Sequence, residues 1–246
     1  MWLVFCCPSP LGVGYYGFFL LGGFAMLLPK IGTIEIAPSV LSADFGALAD
    51  EIGEITSAGV KIVHLDVMDG HFVPNISVGP PVVASLRKHS DLVFDCHLMV
   101  SDPDTYSERF ADAGADHITF HIEAADEAEK LIEKVHGLGC SAGICLNPET
   151  SAEAIKDVGP LCDMILVMTV HPGFGAQKFI AEAAKKIVRV REIVGPDVRV
   201  EVDGGIDAQT AGIVVSYGAD TLVAGNAIFG KRDRIEAINT IRAAVR

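Results

Sequence analysis

The chain is short of positive charge and of paired cysteine. Its 246 residues carry 19 basic and 32 acidic side chains, a formal net charge of −13. That balance disfavours the phosphate backbone of nucleic acids and anionic membrane surfaces as partners. It also means that an anionic substrate gets little help from the overall field. A phosphate group would have to be held by backbone N–H groups and helix N-termini. The six cysteines, Cys6, Cys7, Cys96, Cys140, Cys145 and Cys162, form no CxxC pair, and several lie in apolar runs. They read as buried reduced thiols, not as a disulfide framework or a zinc knot. No GxGxxG turn follows the first strand, which weakens a doubly wound nucleotide-binding sheet.

Charge is missing altogether from residues 1–29, and residues 11–28 form an apolar stretch near the length of a membrane span. A signal peptide normally opens with Lys or Arg, and this segment does not. Three readings fit: an anchor, a targeting segment, or translated upstream sequence with the native start near Met26. The third is favoured, because Lys30 and a clean first strand follow Met26 closely. The domain reading is therefore an apolar N-terminal extension, 1–30, and one domain, 31–246.

From residue 34 onward, apolar β-branched runs alternate with amphipathic stretches. Strands are expected at 34–40, 61–67, 92–98, 117–122, 141–146, 164–169, 199–202 and 221–224. Helices are expected at 45–58, 103–113, 125–138, 180–194 and about 233–245. Eight strands, each followed by a helix, predict an α/β fold of the single-domain (β/α)₈ TIM-barrel type. Gly59, Gly114 and Gly218 each lie just before a strand, where a left-handed helix C′ residue is expected. Half of the residues are hydrophobic, enough for a sizeable core.

In such a barrel, chemistry collects at the C-terminal ends of the strands. His64 and Asp66 are two apart on the second strand and share a face. His97 ends the third strand and Asp203 the seventh. Two imidazoles and two carboxylates converging on one mouth suit a divalent metal. His121 and Glu123 repeat the i, i+2 relation on the fourth strand; a hydrogen-bonded pair supporting the rim is the favoured reading for them. The sixth strand runs into a loop with Gly173, Phe174, Gly175 and Ala176, able to cover a substrate. Gly204 and Gly205 after strand seven, with Gly225 and Asn226 after strand eight, form the expected phosphate site.

The strings APSVLSADF, HLDVMDGHFVPN, CHLMV, LVMTVHPGFG, VDGGI and AGNAIF together resemble the ribulose-phosphate 3-epimerase family, from about residue 34 to the C-terminus. The resemblance implies a (β/α)₈ barrel interconverting D-ribulose 5-phosphate and D-xylulose 5-phosphate in the pentose phosphate pathway. It implies one divalent metal on His64, Asp66, His97 and Asp203, zinc or iron first, with manganese, cobalt or magnesium as alternatives. Asp66 and Asp203 become the catalytic acid and base. Ser39 contacts substrate, as do His97 and Asp203, and Met68, Met99 and Met168 line the pocket. The family's loop usually reads GFGGQ, so Ala176 replaces a glycine and is strained by about 1 kcal/mol if its φ is positive. Epimerisation of a six-carbon ketose phosphate such as D-allulose 6-phosphate is the alternative activity. A cytoplasmic homo-oligomer is expected, with no membrane partner unless residues 1–29 are an anchor.

Overall fold

The computed structural model describes residues 28–246. The readings made for residues 1–27, Cys6 and Cys7 included, lie outside the described residues. Eight strands alternate with helices and short turns. They are β1 (Glu35–Pro38), β2 (Ile62–Met68), β3 (Val93–Met99), β4 (His117–His121), β5 (Ser141–Leu146), β6 (Met164–Met168), β7 (Arg199–Asp203) and β8 (Thr221–Ala224). All pair in parallel, in the order β1-β8-β7-β6-β5-β4-β3-β2. A parallel bridge between Ser39 and His64 brings the two ends of this order together. The closed order excludes the doubly wound alternative and makes the fold a (β/α)₈ barrel.

Period-two alternation decides which side chain goes where. On β2, Val63, Leu65 and Val67 join the large apolar cluster under the helices, while His64, Asp66 and Met68 take the opposite face. The helices supply the other wall of that cluster, through Ile52 and Ile55 of α1 (Leu48–Ser57), Leu86 of α2 (Pro80–Leu86) and Phe110 of α3 (Pro103–Asp112). Leu131, Ile132 and Val135 of α4 (Ala128–Gly137) continue it, as do Ile187 and Val190 of α6 (Lys186–Val194). The one-turn α5 (Ala181–Ala184) precedes α6. Val214 of α7 (Ala211–Ser216), Ile228 of α8 (Asn226–Phe229) and Ile238 of α9 (Arg234–Ala243) complete the ring.

Local chemistry sets the helix ends. Asp102 caps α3 by accepting from the Thr105 N–H at 3.0 Å, with Pro103 in the first turn. Asp233 caps α9 through the Glu236 N–H at 2.8 Å. Gly59, Gly114 and Gly218 have φ of 71°, 102° and 111°, the left-handed helix exits that the sequence pattern predicts.

Two differences have plain causes. β5 is followed by 3₁₀ turns at Ala152–Ile155 and Gly159–Leu161 where an α-helix is the rule. Pro148 and the Gly159–Pro160 pair bracket a segment too interrupted for a longer helix, and Ile155 alone buries fully against the core. The short α2 is absent from the expected helices because Pro80 and Pro81 open it and mask its periodicity.

The four cysteines among the described residues, Cys96, Cys140, Cys145 and Cys162, are free and buried. At the end of the barrel away from the site, Arg199 is fully buried. Its guanidinium donates to Pro29 O at 3.1 Å, Thr33 O at 2.9 Å, Asp220 O at 2.8 Å and Thr221 Oγ1 at 2.8 Å. It thereby ties the segment before β1 to β7 and β8. Replacing it leaves buried acceptors without donors, so Arg199→Met should lower the unfolding free energy by about 3–5 kcal/mol. The denaturation midpoint reads this, and a change below about 1 kcal/mol would show that those acceptors find other partners.

Candidate active site

The register places the site chemistry in layers inside the barrel. Asp66 sits opposite His97, Met68 opposite Met99, and Met168 opposite Asp203. His64 lies one layer down, beside Asp95. Asp66 and Asp203 stand on β2 and β7, which are separated on one side of the barrel by β1 and β8. Ligand atoms of His64, Asp66, His97 and Asp203 nevertheless come within 4.8 Å of one another. Four residues expected to converge on one mouth therefore do so.

His64 Nε2 and His97 Nδ1 are buried and have no hydrogen-bond partner. Each lies 3.4 Å from the same oxygen, Asp66 Oδ1. Two tetrahedral ligands at zinc-like bond lengths of about 2.1 Å stand about 3.4 Å apart. Orphaned buried nitrogens are costly unless something else satisfies them. The donor set, two imidazoles and two carboxylates, thus fits a divalent cation on both spacing and chemistry.

Both imidazoles are held from behind. His64 Nδ1 is 2.5 Å from Asp95 Oδ2 and 3.7 Å from Glu201 Oε1. His97 Nε2 is 2.9 Å from His121 Nε2, and His121 Nδ1 is 3.2 Å from Glu123 Oε2. Metal-bound histidines usually carry such outer partners, which fix the ring. Asp95 and Glu201 escaped the reading of the sequence. The signal was there: Asp95–His97 and Glu201–Asp203 repeat the i, i+2 spacing of His64–Asp66.

The two aspartates differ in proton affinity. Burial would raise Asp66, but the charge of His64, with the His97 imidazole beside it, holds it well below the usual carboxylate range. Ser39 Oγ–H also donates to Asp66 Oδ2 at 2.6 Å. Burial raises Asp203, and the neighbouring Asp66 charge raises it further, to about 7. Burial opposes protonation of His64, yet the Asp95 and Asp66 carboxylates raise it well above its ordinary value. Burial lowers His97 to about 4. Burial, then the Asp95 charge, keeps Glu201 protonated far above the usual range.

Above these residues opens a cleft. Ser39, Asp66, Met68, Met99, Met168, Asp203, Gly204, Gly205, Gly225, Asn226 and the loop Gly173, Phe174, Gly175 and Ala176 all line it. His64 and His97 lie beneath, fully buried. Met68 and Met99 pack with Val73 on one wall, and Met168 packs with Leu166 and Val170 on another. Asn75 Nδ2 donates to Gly173 O at 2.7 Å, and Gln177 Nε2 donates to Phe174 O at 2.9 Å, tying the loop at both ends. Phe174 is 56% exposed above the mouth. Ala176 has φ 57°, the left-handed value that makes alanine strained there.

The floor after β7 needs glycine. Gly204 has φ 124°, and a Cβ there would meet Val170 N at 2.7 Å; a Cβ on Gly205 would meet Phe179 N at 2.7 Å. Across from it, Ile228 and Phe229 N–H close on Gly225 O, so the N–H groups of Asn226 and Ala227 precede the first helical acceptor. His121 and Glu123 form the hydrogen-bonded rim pair expected of them. No helix among the described residues is long and apolar enough to cross a membrane.

Comparison with known proteins follows this geometry. The family model described as "Ribulose-phosphate 3 epimerase family" matches residues 35–229. The ribulose-phosphate 3-epimerase of Bacillus subtilis is 45% identical over 215 residues, covering 86% of this chain and 99% of its own. That of Rhodobacter capsulatus is 46% identical, covering 80% and 86%. The cytoplasmic isoform of Oryza sativa subsp. japonica is 44% identical, covering 86% and 94%. Among solved structures, a 3-hexulose-6-phosphate synthase matches with a TM-score of 0.65 at 20% identity, covering 87% of this chain and all of its own. A mutant tryptophan synthase alpha-subunit of Pyrococcus furiosus matches at 0.61 and 15%, covering 88% and 97%. Those two share the barrel; the family match and the sequence relatives at 44–46% identity go further, and the chain belongs to the ribulose-phosphate 3-epimerase family.

Proposed function

We propose that the chain epimerises D-ribulose 5-phosphate to D-xylulose 5-phosphate at C3, with Asp66 and Asp203 as the two proton-transfer groups. The observation that carries this is their pairing: two carboxyls on separated strands, facing one site, with opposite proton affinities. Inversion requires a base on one face of the substrate and an acid on the other. A single group would return the proton to the face it left.

The asymmetry supports Asp66 as the base and Asp203 as the acid in one direction. Asp66 takes the C3 proton, with the Ser39 hydroxyl holding its carboxylate in place. Asp203 delivers its proton to the opposite face. After one turnover the protonation states have exchanged, which is the arrangement the reverse reaction needs. A divalent cation, zinc or iron first and manganese, cobalt or magnesium otherwise, would be held by His64, Asp66, His97 and Asp203. When bound it supplies Lewis-acid stabilisation of the negative charge that develops next to C3.

Phosphate recognition falls to Gly204, Gly205, Gly225 and Asn226 through backbone donors, in keeping with a chain of net negative charge. The loop from Gly173 to Ala176 covers the substrate, and the three methionines provide an apolar, polarisable wall. The pentose phosphate pathway in the cytoplasm is the setting that suits this activity, and the rice relative's description as a cytoplasmic isoform supports that setting. A homo-oligomer remains part of the proposal.

Asp66→Asn and Asp203→Asn should each lose at least about 10³ in kcat, measured by coupled turnover of ribulose 5-phosphate. A variant keeping more than a tenth of wild-type activity refutes the role given to that residue. Chelation should abolish turnover and added divalent metal restore it; activity in the fully chelated protein would sink the metal reading. The ratio of kcat/KM for the five-carbon and six-carbon ketose phosphates tests substrate length, with the pentose favoured.

A second expectation concerns stability. In the metal-free protein Asp203 keeps its proton to about pH 7, whereas an aspartate in the unfolded chain loses it near the ordinary 3.8. Between those values the native state holds more protons than the unfolded state. Its contribution is therefore complete below the unfolded value and drains away as pH rises through about 7. Metal-free wild type should lose more melting temperature between about pH 5 and 8 than metal-free Asp203→Asn. Equal slopes would remove Asp203 as the source.

A further inference from the structure

The proton chemistry assigned to Asp66 and Asp203 leaves one buried contact unused. His97 Nε2 and His121 Nε2 are 2.9 Å apart, with the ring planes 23° apart and the centroids at 5.0 Å, an edge-to-edge arrangement. His121 Nδ1 faces Glu123 Oε2 at 3.2 Å. The other carboxylate oxygen, Glu123 Oε1, accepts from the backbone N–H of Asn147 at 3.0 Å and from the Thr150 hydroxyl.

The fixed end of this chain sets the direction of every hydrogen in it. A backbone N–H can only donate, so Asn147 makes Oε1 an acceptor. An ionised carboxylate accepts through both oxygens, so His121 Nδ1 carries the hydrogen. A neutral imidazole has one ring hydrogen, which leaves His121 Nε2 as an acceptor. His97 Nε2 must then be the donor, and the lone pair of His97 falls on Nδ1. That is the buried nitrogen with no hydrogen-bond partner, 3.4 Å from Asp66 Oδ1.

We infer that His121 and Glu123 are positioning residues that set the tautomer of His97 and so present its Nδ1 lone pair to the cation site. The inference rests on the metal reading proposed above and deepens it. The two histidines of the site are prepared differently. His64 has a buried carboxylate, Asp95, in direct contact with its far nitrogen. His97 receives the same instruction through a second imidazole, from a carboxylate at the rim that is itself anchored by the loop after β5.

Two substitutions at one position separate tautomer control from mere packing. In Glu123→Gln the amide oxygen stays on the Asn147 N–H, which turns the amide NH₂ toward His121 Nδ1. His121 then accepts at Nδ1 and carries its hydrogen on Nε2. His97 is forced to hold its hydrogen on Nδ1, where the cation would bind. Glu123→Ala removes the instruction without reversing it. Affinity of the metal-free protein for Co²⁺, read by competition with a chelating dye, should fall about 10–100-fold in Glu123→Gln and by less in Glu123→Ala. A packing role predicts the opposite order, since glutamine keeps the shape. Wild-type affinity in Glu123→Gln, or a weaker alanine variant than glutamine variant, overturns the inference.

Nitrogen-15 NMR of the ring nitrogens in metal-free wild type tests it with no variant at all. Hydrogens on His97 Nε2 and His121 Nδ1 support the inference; a hydrogen on His97 Nδ1 alone overturns it. Asp66→Asn, measured beside them, keeps the two readings apart. If it loses Co²⁺ while Glu123→Gln does not, the metal site stands and the relay falls. If it binds Co²⁺ as wild type does, the metal reading fails and takes the relay with it.

Discussion

A carboxylate inside a closed barrel is the constraint on which this structure turns. Asp66 is almost wholly removed from water, and an isolated buried charge of that kind is far too costly to persist. It survives because the Ser39 hydroxyl donates to it and the charge of His64 faces it, with the His97 ring beside them. Those imidazoles need support in turn, so Asp95 stands behind His64, and His121 with Glu123 stands behind His97. Each answer to one buried polar group introduces another, until the chain of partners reaches the half-exposed rim. The polar groups around the site thus form one connected network, and the largest apolar cluster lies outside the barrel, between strands and helices.

Period-two alternation explains why so much of this was legible in the sequence. The same rule that sends Val63, Leu65 and Val67 outward sends His64, Asp66 and Met68 inward, so strand and site are read from one pattern. All eight strands fall within two residues of their expected ends. The left-handed exits at Gly59, Gly114 and Gly218 follow from glycine's lack of a Cβ. The segment after β5 was not legible as turns, because apolar spacing around Ile155 imitates a helix while Pro148 and Pro160 prevent one. Asp95 and Glu201 were passed over although they carry the right spacing. A single acidic residue in a strand has many structural explanations, and only the register shows that these two lie beneath His64. The relative proton affinity of Asp66 and Asp203 was out of reach for a different reason. It depends on which buried groups surround each carboxyl, and spacing along the chain carries no such information.

A phosphate bound as proposed would meet a constraint that the composition already poses. With an excess of 13 negative charges, a broad field cannot draw in a dianion, and a buried arginine at the mouth would compete with the proposed cation for Asp66 and Asp203. Backbone donors avoid both problems, since dipoles attract an anion without adding a mobile cation beside the acids. Their cost is conformational. Gly204 and Gly205 admit no side chain because Val170 and Phe179 backbone atoms occupy the place of a Cβ. Ala176 accepts a left-handed φ that glycine would hold freely. The strain at that loop is small beside what a single misplaced donor would lose in orientation.

Opposed acids, lastly, would decide the type of reaction in the proposed mechanism. A barrel with a single base at its mouth can remove a proton next to a carbonyl and return it, which enolises the substrate and leaves its configuration unchanged. In the proposed reaction the second carboxyl, on β7 with β1 and β8 between it and β2, would supply the proton to the other face. The two must not start in the same state, because two bases or two acids cannot complete an inversion. Here the difference comes from the partners. Asp66 has the charge of His64 and a hydroxyl donor, whereas Asp203 has burial and the charge of Asp66 itself. Each carboxylate is therefore part of the other's environment. Ionising one raises the proton affinity of its counterpart, so the pair is biased toward holding a single proton between them. A pair that shares one proton across a substrate can run in either direction, which is what a freely reversible epimerisation demands.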